Sequence, residues 1–284
     1  MPRCPITPHI EALVDLAIEE DLGRGDATTA AVSLGAVPGK GRILAKEPVV
    51  VCGLDLAMYV FGRVSPGLML SPLVADGDEA PAGAELLVMT GPLAPMLEAE
   101  RTALNFLQRM SGVATLTRRM TRLIEETGAK ARLVDTRKTL PGWRLLDKHA
   151  VRCGGGGNHR FDLASGVLIK DNHIAAAGSV WEAVTRARRL APHTLRVEVE
   201  VTSLAELEEA LHAKAEVILL DNMDTGTMAT AVGLVAGRAL VEASGGVTEE
   251  TLAAIARTGV DLISMGTLTH SARAVDLSMY VQRA

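Results

Sequence analysis

Aromatic residues are scarce in this sequence: Phe, Trp and Tyr make up 2% of its 284 residues. Without a basic tail as well, it has few platforms for stacking bases and no cationic track for a nucleic-acid backbone, so nucleic acid is set aside as a partner. Cysteine is scarce too. Cys4, Cys52 and Cys153 are odd in number and far apart along the chain, which argues against a disulfide framework or a cysteine zinc site and for ordinary reduced thiols. No uninterrupted apolar run approaches the roughly 18 residues of a membrane span. The first residues interrupt their apolar positions with Glu and Asp at helical spacing, so a signal peptide is not expected either and a cytoplasmic protein is.

What the chain does have is an ordinary globular balance, 48% hydrophobic against 22% charged residues, enough to bury one large core or two modest ones. The first element reads as an amphipathic helix, with Thr7 as its cap, Pro8 in its first turn, Ile10, Leu13, Val14, Ala17 and Ile18 on one face, and Gly23 at its end. DLGRGDATT then reads as a polar turn. Strand-like runs at 42–45, 49–52, 68–74 and 86–90 surround a helix at about 54–64, which predicts a small α+β domain. From 95 to about 127 the apolar spacing is helical, and Ser111 with Gly112 predicts a break between two helices. Arg101 on the first of them reads, from spacing alone, as a solvated helix charge paired with Glu98 or Glu100.

After Gly128 short apolar runs alternate with helical segments. The predicted strands are 131–134, 167–169, 195–201, 217–220, 240–243 and 262–265. Alternation at this spacing implies a parallel sheet, and too few residues remain for a full eight-stranded barrel, so an α/β barrel of six or seven strands is expected, with an open doubly wound sheet as the alternative. Each run ends in ionisable or glycine-rich chemistry: Asp135, Thr136, Arg137 and Lys138; then Lys170, Asp171 and Asn172; then Glu200; then Asp221 and Asn222; then Ser244, Gly245 and Gly246; then Gly266 and Thr267. In a barrel those ends open onto one face, where active sites are found. Within LRVEVEV the valines fall on one side and Arg196, Glu198 and Glu200 on the other. An acid turned into the lumen needs a cation or a metal, so Glu198 reads equally as a lumen-filling ion pair or a functional group.

An acidic chain of net charge -5 nevertheless crowds Arg137, Lys138, Lys148, His149, Arg152, His159, Arg160 and Lys170 into the stretch 135–173. Arginine forks and mobile lysines in one place suit a substrate of high negative charge. The glycine turns at 244–246 and 265–267 suit a phosphate, and Glu200 and Asp221 suit Mg²⁺ or sugar hydroxyls. Two rival readings follow from the same residues. A barrel aldolase would use Lys170 or Lys138 as a Schiff base, and a non-catalytic dicarboxylate sensor would need the arginines but neither the acids nor the phosphate loops.

In DLGRGDATT, EAERTALNFLQRMSGVATLT, DTRKTLPGWR, CGGGGNHR, LIKDNHI, EVEVTSL, ILLDNM, EASGG and MGTLTHS the chain resembles the quinolinate phosphoribosyltransferases, the carboxylating nicotinate-nucleotide pyrophosphorylases, over nearly its whole length. A paralogue linked to molybdenum transport shares the fold but lacks the complete DTRKT and KDNH pattern. The resemblance implies a type II phosphoribosyltransferase fold: an N-terminal α/β sandwich domain at 1–112, an incomplete parallel β/α barrel at 113–269 and a C-terminal segment, 270–284, returning to the first domain. It implies Mg²⁺-dependent phosphoribosyl transfer from 5-phosphoribosyl 1-pyrophosphate to quinolinate with decarboxylation, in a homodimer whose active sites are shared. By position, Arg137, His159, Arg160 and Lys170, with Thr136 beside them, match the quinolinate pocket. Arg101 matches a residue reaching in from the other subunit, against its bland reading. Lys138, Glu200 and Asp221 match the catalytic groups, the two acids also serving metal, and Ser244, Gly245, Gly246, Gly266 and His270 match the 5'-phosphate site.

Overall fold

The computed structural model describes residues 3–32, 34 and 36–284. The chain begins α1 (Pro8–Leu22), α2 (Ala27–Ala31), β1 (Pro38–Ala45), β2 (Val49–Val50), α3 (Leu54–Val64), β3 (Met69–Pro72), β4 (Glu79–Ala80), β5 (Glu85–Pro92) and the long α4 (Leu93–Glu125). It continues β6 (Arg132–Val134), α5 (Arg144–Cys153), β7 (Val167–Ile169), α6 (Asp171–Ala177), α7 (Val180–Leu190), β8 (Val197–Val201), α8 (Leu204–His212) and β9 (Val217–Asp221). Last come α9 (Thr225–Val235), β10 (Leu240–Ser244), α10 (Glu249–Ala256), β11 (Leu262–Ser264), α11 (Thr267–His270) and β12 (Leu277–Arg283). Two compact units result: Met1–Arg118 with Leu140–Gly155 and Ser271–Ala284, and Arg119–Thr139 with Gly156–His270. Among the described residues no helix is long and apolar enough to cross a membrane.

The first unit is built on an antiparallel sheet of order β12-β1-β5-β3, beside a two-stranded β2-β4 ribbon. Along β1 the side chains alternate between exposed and buried, the pattern of a sheet with one face on a core. The chain's last strand, β12, pairs with β1 from Gly39 opposite Arg283 to Ala45 opposite Leu277. Helix α1 starts as the sequence predicts, with the Thr7 hydroxyl accepting from the Ile10 amide and Ile10 and Val14 fully buried. The polar turn expected after it contains a short helix instead. Asp26 caps α2 by accepting from the Thr28 and Thr29 amides, which supplies the local start signal.

The expected break at Ser111 and Gly112 does not occur: α4 runs unbroken through both for 33 residues. These two residues serve close approach. The Ser111 hydroxyl accepts from the Cys52 amide at 3.0 Å and donates to the Cys52 carbonyl at 3.2 Å. A Cβ at position 112 would collide with the Arg273 carbonyl. Tertiary packing holds a helix through a Gly that costs it only about 1 kcal/mol against Ala.

The second unit is a six-stranded parallel sheet of order β6-β11-β10-β9-β8-β7. The first strand lies beside the last and the rest follow in sequence, a cyclic order that belongs to a barrel and not to a doubly wound sheet. Closure is incomplete between β6 and β7. There the segment at Gly157 bridges to β6, its amide donating to the Leu133 carbonyl at 2.8 Å and its carbonyl accepting from the Asp135 amide at 3.2 Å. Val197, Val199 and Val201 on β8, Ile218 and Leu220 on β9 and Ala243 on β10 are buried. The strand ends are therefore fixed in one row by a dry core.

Candidate active site

At the carboxyl ends of these strands lies a cavity of about 570 Å³ within the second unit. Thr136, Arg137 and Lys138 enter it after β6, His159 and Arg160 after the Gly157 bridge, and Lys170 after β7. Glu200 lies one residue before the end of β8, Asp221 and Ser244 end β9 and β10, and Gly245 and Gly246 follow β10, all lining the same cavity. Eleven residues singled out from sequence thus line one cavity. Gly266 is outside this lining but packs against Lys138, which is part of it: a Cβ there would come within 2.9 Å of the Lys138 stem and 3.3 Å of the His270 ring. Arg101 stands exposed on α4 in the first unit, and Lys148, His149 and Arg152 belong to α5 of that unit, outside the cavity lining.

The cationic wall is held by buried anions behind it. Asp135, fully buried, accepts from the Asn158 carboxamide at 2.7 Å and from the His159 amide at 2.8 Å, which fixes the Asn158-His159-Arg160 run. The Arg160 amide donates to His159 Nδ1 at 2.7 Å, so the proton of a neutral ring sits on Nε2. That nitrogen faces Glu198 at 3.2 Å and Glu242 at 3.7 Å. Both ring nitrogens therefore turn to the protein, and His159 offers the cavity its ring and its grip on Arg160. Burial, with Glu198 close by, raises the Glu242 carboxyl to about 7, against the opposing pull of His159. His159, Arg160 and Glu242 also line a second cavity of about 420 Å³ at the amino ends of the strands, so this layer is a floor between the two. Glu198 resolves here as the partner of His159.

Arg137 and Arg160 are poised for an anion. Burial and the neighbouring Arg137 charge lower the Arg160 guanidinium from its ordinary value, the expected result of two like charges sharing a low-dielectric wall. Arg137 Nε is buried without a hydrogen-bond partner. An oxyanion between these groups would relieve both conditions.

The remaining polar lining is acidic and glycine-rich. Glu200 accepts from Lys170 Nζ at 2.6 Å, and Asp221 accepts from the Asn222 carboxamide at 2.8 Å. Gly245 and Gly246 both have left-handed backbone, φ +85° and +60°, and a Cβ on Gly245 would run into the Asn222 carboxamide. Glycine at both positions tolerates this backbone and leaves it bare for close approach of an anion. Asp135, Asn222 and Glu242 were not assigned a role from sequence; their position beside the strand-end motifs was the available signal, and burial separates Asp135 and Glu242 from loop residues while Asn222 stands out by its left-handed backbone, φ +53°.

A parallel barrel that gathers cations, acids and a glycine turn at one end defines a class of protein, a barrel enzyme acting on anionic substrates. Residues 26–111 match the N-terminal domain, and residues 113–280 the C-terminal domain, of quinolinate phosphoribosyl transferase. Over 273 residues, 96% of this chain and 93% of the other, it is 42% identical to a probable nicotinate-nucleotide pyrophosphorylase (carboxylating) of Bacillus subtilis. It is 39% identical to quinolinate phosphoribosyltransferase (decarboxylating) 1b of Nicotiana tabacum, covering 97% of this chain and 83% of that one. The solved nicotinate-nucleotide pyrophosphorylase of Francisella tularensis superposes with a TM-score of 0.93 at 39% identity, over 99% of this chain and all of the other. The chain belongs to the quinolinate phosphoribosyltransferase family, and is a pentosyltransferase.

Proposed function

We propose that the cavity converts quinolinate and 5-phosphoribosyl 1-pyrophosphate to nicotinate mononucleotide, pyrophosphate and CO₂, the entry of quinolinate into NAD biosynthesis. The observation that carries this reading is that one cavity is lined both by a cationic group, Arg137, Lys138, Arg160 and Lys170, and by a second group, Glu200, Asp221 and the 244–246 turn. The first suits a planar dicarboxylate, with Arg101 of a partner subunit completing it in a homodimer. The second suits a sugar phosphate, Gly245, Gly246, Gly266 and His270 taking the 5'-phosphate. A cytoplasmic location belongs to the same reading.

Glu200 and Asp221 are hard oxygen donors on neighbouring strand ends, and this donor set fits Mg²⁺ shared with a pyrophosphate better than an all-protein cage. When bound there, Mg²⁺ would neutralise charge on the departing pyrophosphate. Lys138 adds a second positive charge toward the leaving group. As the bond from C1 to the pyrophosphate oxygen breaks, its electron pair leaves with the pyrophosphate, and the carboxylates of Glu200 and Asp221 favour the cationic sugar left behind. The pyridine nitrogen then bonds to C1. With that nitrogen cationic, the bond from ring carbon to the adjacent carboxylate breaks, CO₂ departs, the pair stays on the ring carbon, and a proton replaces it.

The test is turnover with Mg²⁺, the phosphoribosyl donor and quinolinate labelled in its 2-carboxylate. Labelled CO₂ is expected in step with nicotinate mononucleotide; a folded enzyme that gives neither product would overturn the reading. Sharing of the site is tested by mixing Arg101→Ala and Lys138→Ala, each inactive alone. Partial recovery on subunit exchange is expected, and no recovery would dismiss the shared site.

A further inference from the structure

Two of the three cysteines that lie far apart in sequence meet inside the first unit. Cys52 precedes α3, Asp76 lies in the turn before β4, and His149 and Cys153 sit four residues apart on one face of α5. The candidate ligating atoms of these four all lie within 4.8 Å of one another. His149 Nε2 is 2.9 Å from Asp76 Oδ2, Cys153 Sγ is 3.4 Å from His149 Nε2, and Cys52 Sγ is 3.9 Å from Asp76 Oδ2. Around an ion with bonds of about 2.3 Å to sulfur and about 2.0 Å to nitrogen and oxygen, tetrahedral ligand atoms stand roughly 3.3–3.8 Å apart. The observed separations bracket that range without an ion present to set them.

Each donor is positioned by something outside the cluster. The other Asp76 oxygen, Oδ1, accepts from the Gly53 amide at 2.9 Å and the Leu54 amide at 3.0 Å, capping α3, whose own N-cap has no side chain to do so. That leaves Oδ2 directed at His149 and Cys52. Cys52 is pinned through its backbone by Ser111 on α4. His149 and Cys153 are held on a helix whose inner face is buried, with exposures of 2% and 1%. Water is excluded, so the charges must be balanced within the cluster.

We propose that Cys52, Asp76, His149 and Cys153 form a closed structural site for a thiophilic divalent cation of the zinc type. Two sulfurs and an imidazole select a softer ion than the oxygen pair at Glu200 and Asp221. With four protein ligands and no position left for substrate, the ion ties the start of α3, the turn before β4 and the end of α5 together. The site does not depend on the reading of the cavity.

The test is made on the full chain, expressed with zinc supplied, kept reduced, and desalted before its metal content is measured. One zinc per chain is expected, released when the thiols are titrated with a mercurial, together with a fall in the thermal midpoint when a strong chelator strips it. Cobalt added to the stripped protein is expected to give a thiolate-to-cobalt charge-transfer band and the intense visible bands of a tetrahedral ion. Cys52→Ala with Cys153→Ser is expected to abolish both; because that variant could fail to fold, the cobalt spectrum of the unaltered chain stands as an independent reading. Only traces of zinc with no thiolate-to-cobalt band would overturn the proposal. So would stoichiometric zinc retained by the folded double variant, or a Cys52 to Cys153 disulfide in freshly isolated protein.

Discussion

Two buried clusters in this protein are each centred on a histidine, and they differ in what they leave open. In the barrel, His159 sits between Glu198 and Glu242 as a floor, and Arg137, Arg160 and a Lys170 paired with Glu200 line a cavity large enough to admit a substrate. In the first unit, His149 sits among Asp76, Cys52 and Cys153, and every donor atom is turned inward on the others. Similar side chains are arranged in one case to receive a substrate and in the other to close on themselves. Access, more than residue type, separates a reactive cluster from a structural one.

Damage to the open site that leaves its floor intact is expected to have the largest effect. Asp221→Ala or Glu200→Ala is expected to lower turnover by about 10²- to 10³-fold, the usual cost of losing a preorganised electrostatic group, with an unchanged circular dichroism spectrum. Next in size, Arg137→Ala is expected to weaken quinolinate binding by about 1.5–3 kcal/mol, the worth of a charge-assisted hydrogen bond. Binding of the phosphoribosyl donor should change far less, and equal losses in direct titrations would sink the division of the cavity lining into two groups. Gly245→Ala forces a side chain onto left-handed backbone and into Asn222. Its strain of about 1–3 kcal/mol should appear as a raised KM for the donor with quinolinate little affected.

The smallest effect concerns the floor itself. The Glu242 carboxyl stands at about 7 against an ordinary 4.5. It holds its proton more tightly folded than unfolded, so its contribution to stability is full below about pH 4.5 and is lost as pH rises through about 7. Glu242→Gln keeps the volume and removes the titration. Thermal midpoints followed from pH 5 to 8 should decline less steeply in the variant, by the equivalent of about 1–3 kcal/mol; parallel curves would show that the floor does not titrate in this range.

Much of the barrel was legible in the sequence because each of its signals is local. The six predicted parallel strands lie within a residue or two of β6 to β11, and the polar residues that end them do converge. The Asp26 cap of α2 was local as well, but it lay inside a glycine-punctuated stretch whose turn signals outweighed it. Ser111 and Gly112 misled for a different reason. Their local meaning is a helix end, and their actual use, a hydrogen bond to Cys52 and an approach to Arg273, is set by residues distant in sequence. The cysteine cluster stayed hidden on the same ground: Cys52 and Asp76 reach His149 and Cys153 only through the fold, so no spacing motif announces it. Arg137 and Arg160 could be named from sequence, but that His159 spends both ring nitrogens on the protein could not.

If Arg137, Arg160 and Lys170 hold two carboxylates of one ring, as proposed, the second carboxylate must add affinity. Calorimetric titration of quinolinate and of nicotinate into the same enzyme tests it most directly. Quinolinate is expected to bind at least about tenfold more tightly, the value of one additional charge-assisted contact, with the difference lost in Arg137→Ala. Equal affinities in the unaltered enzyme would contradict the account.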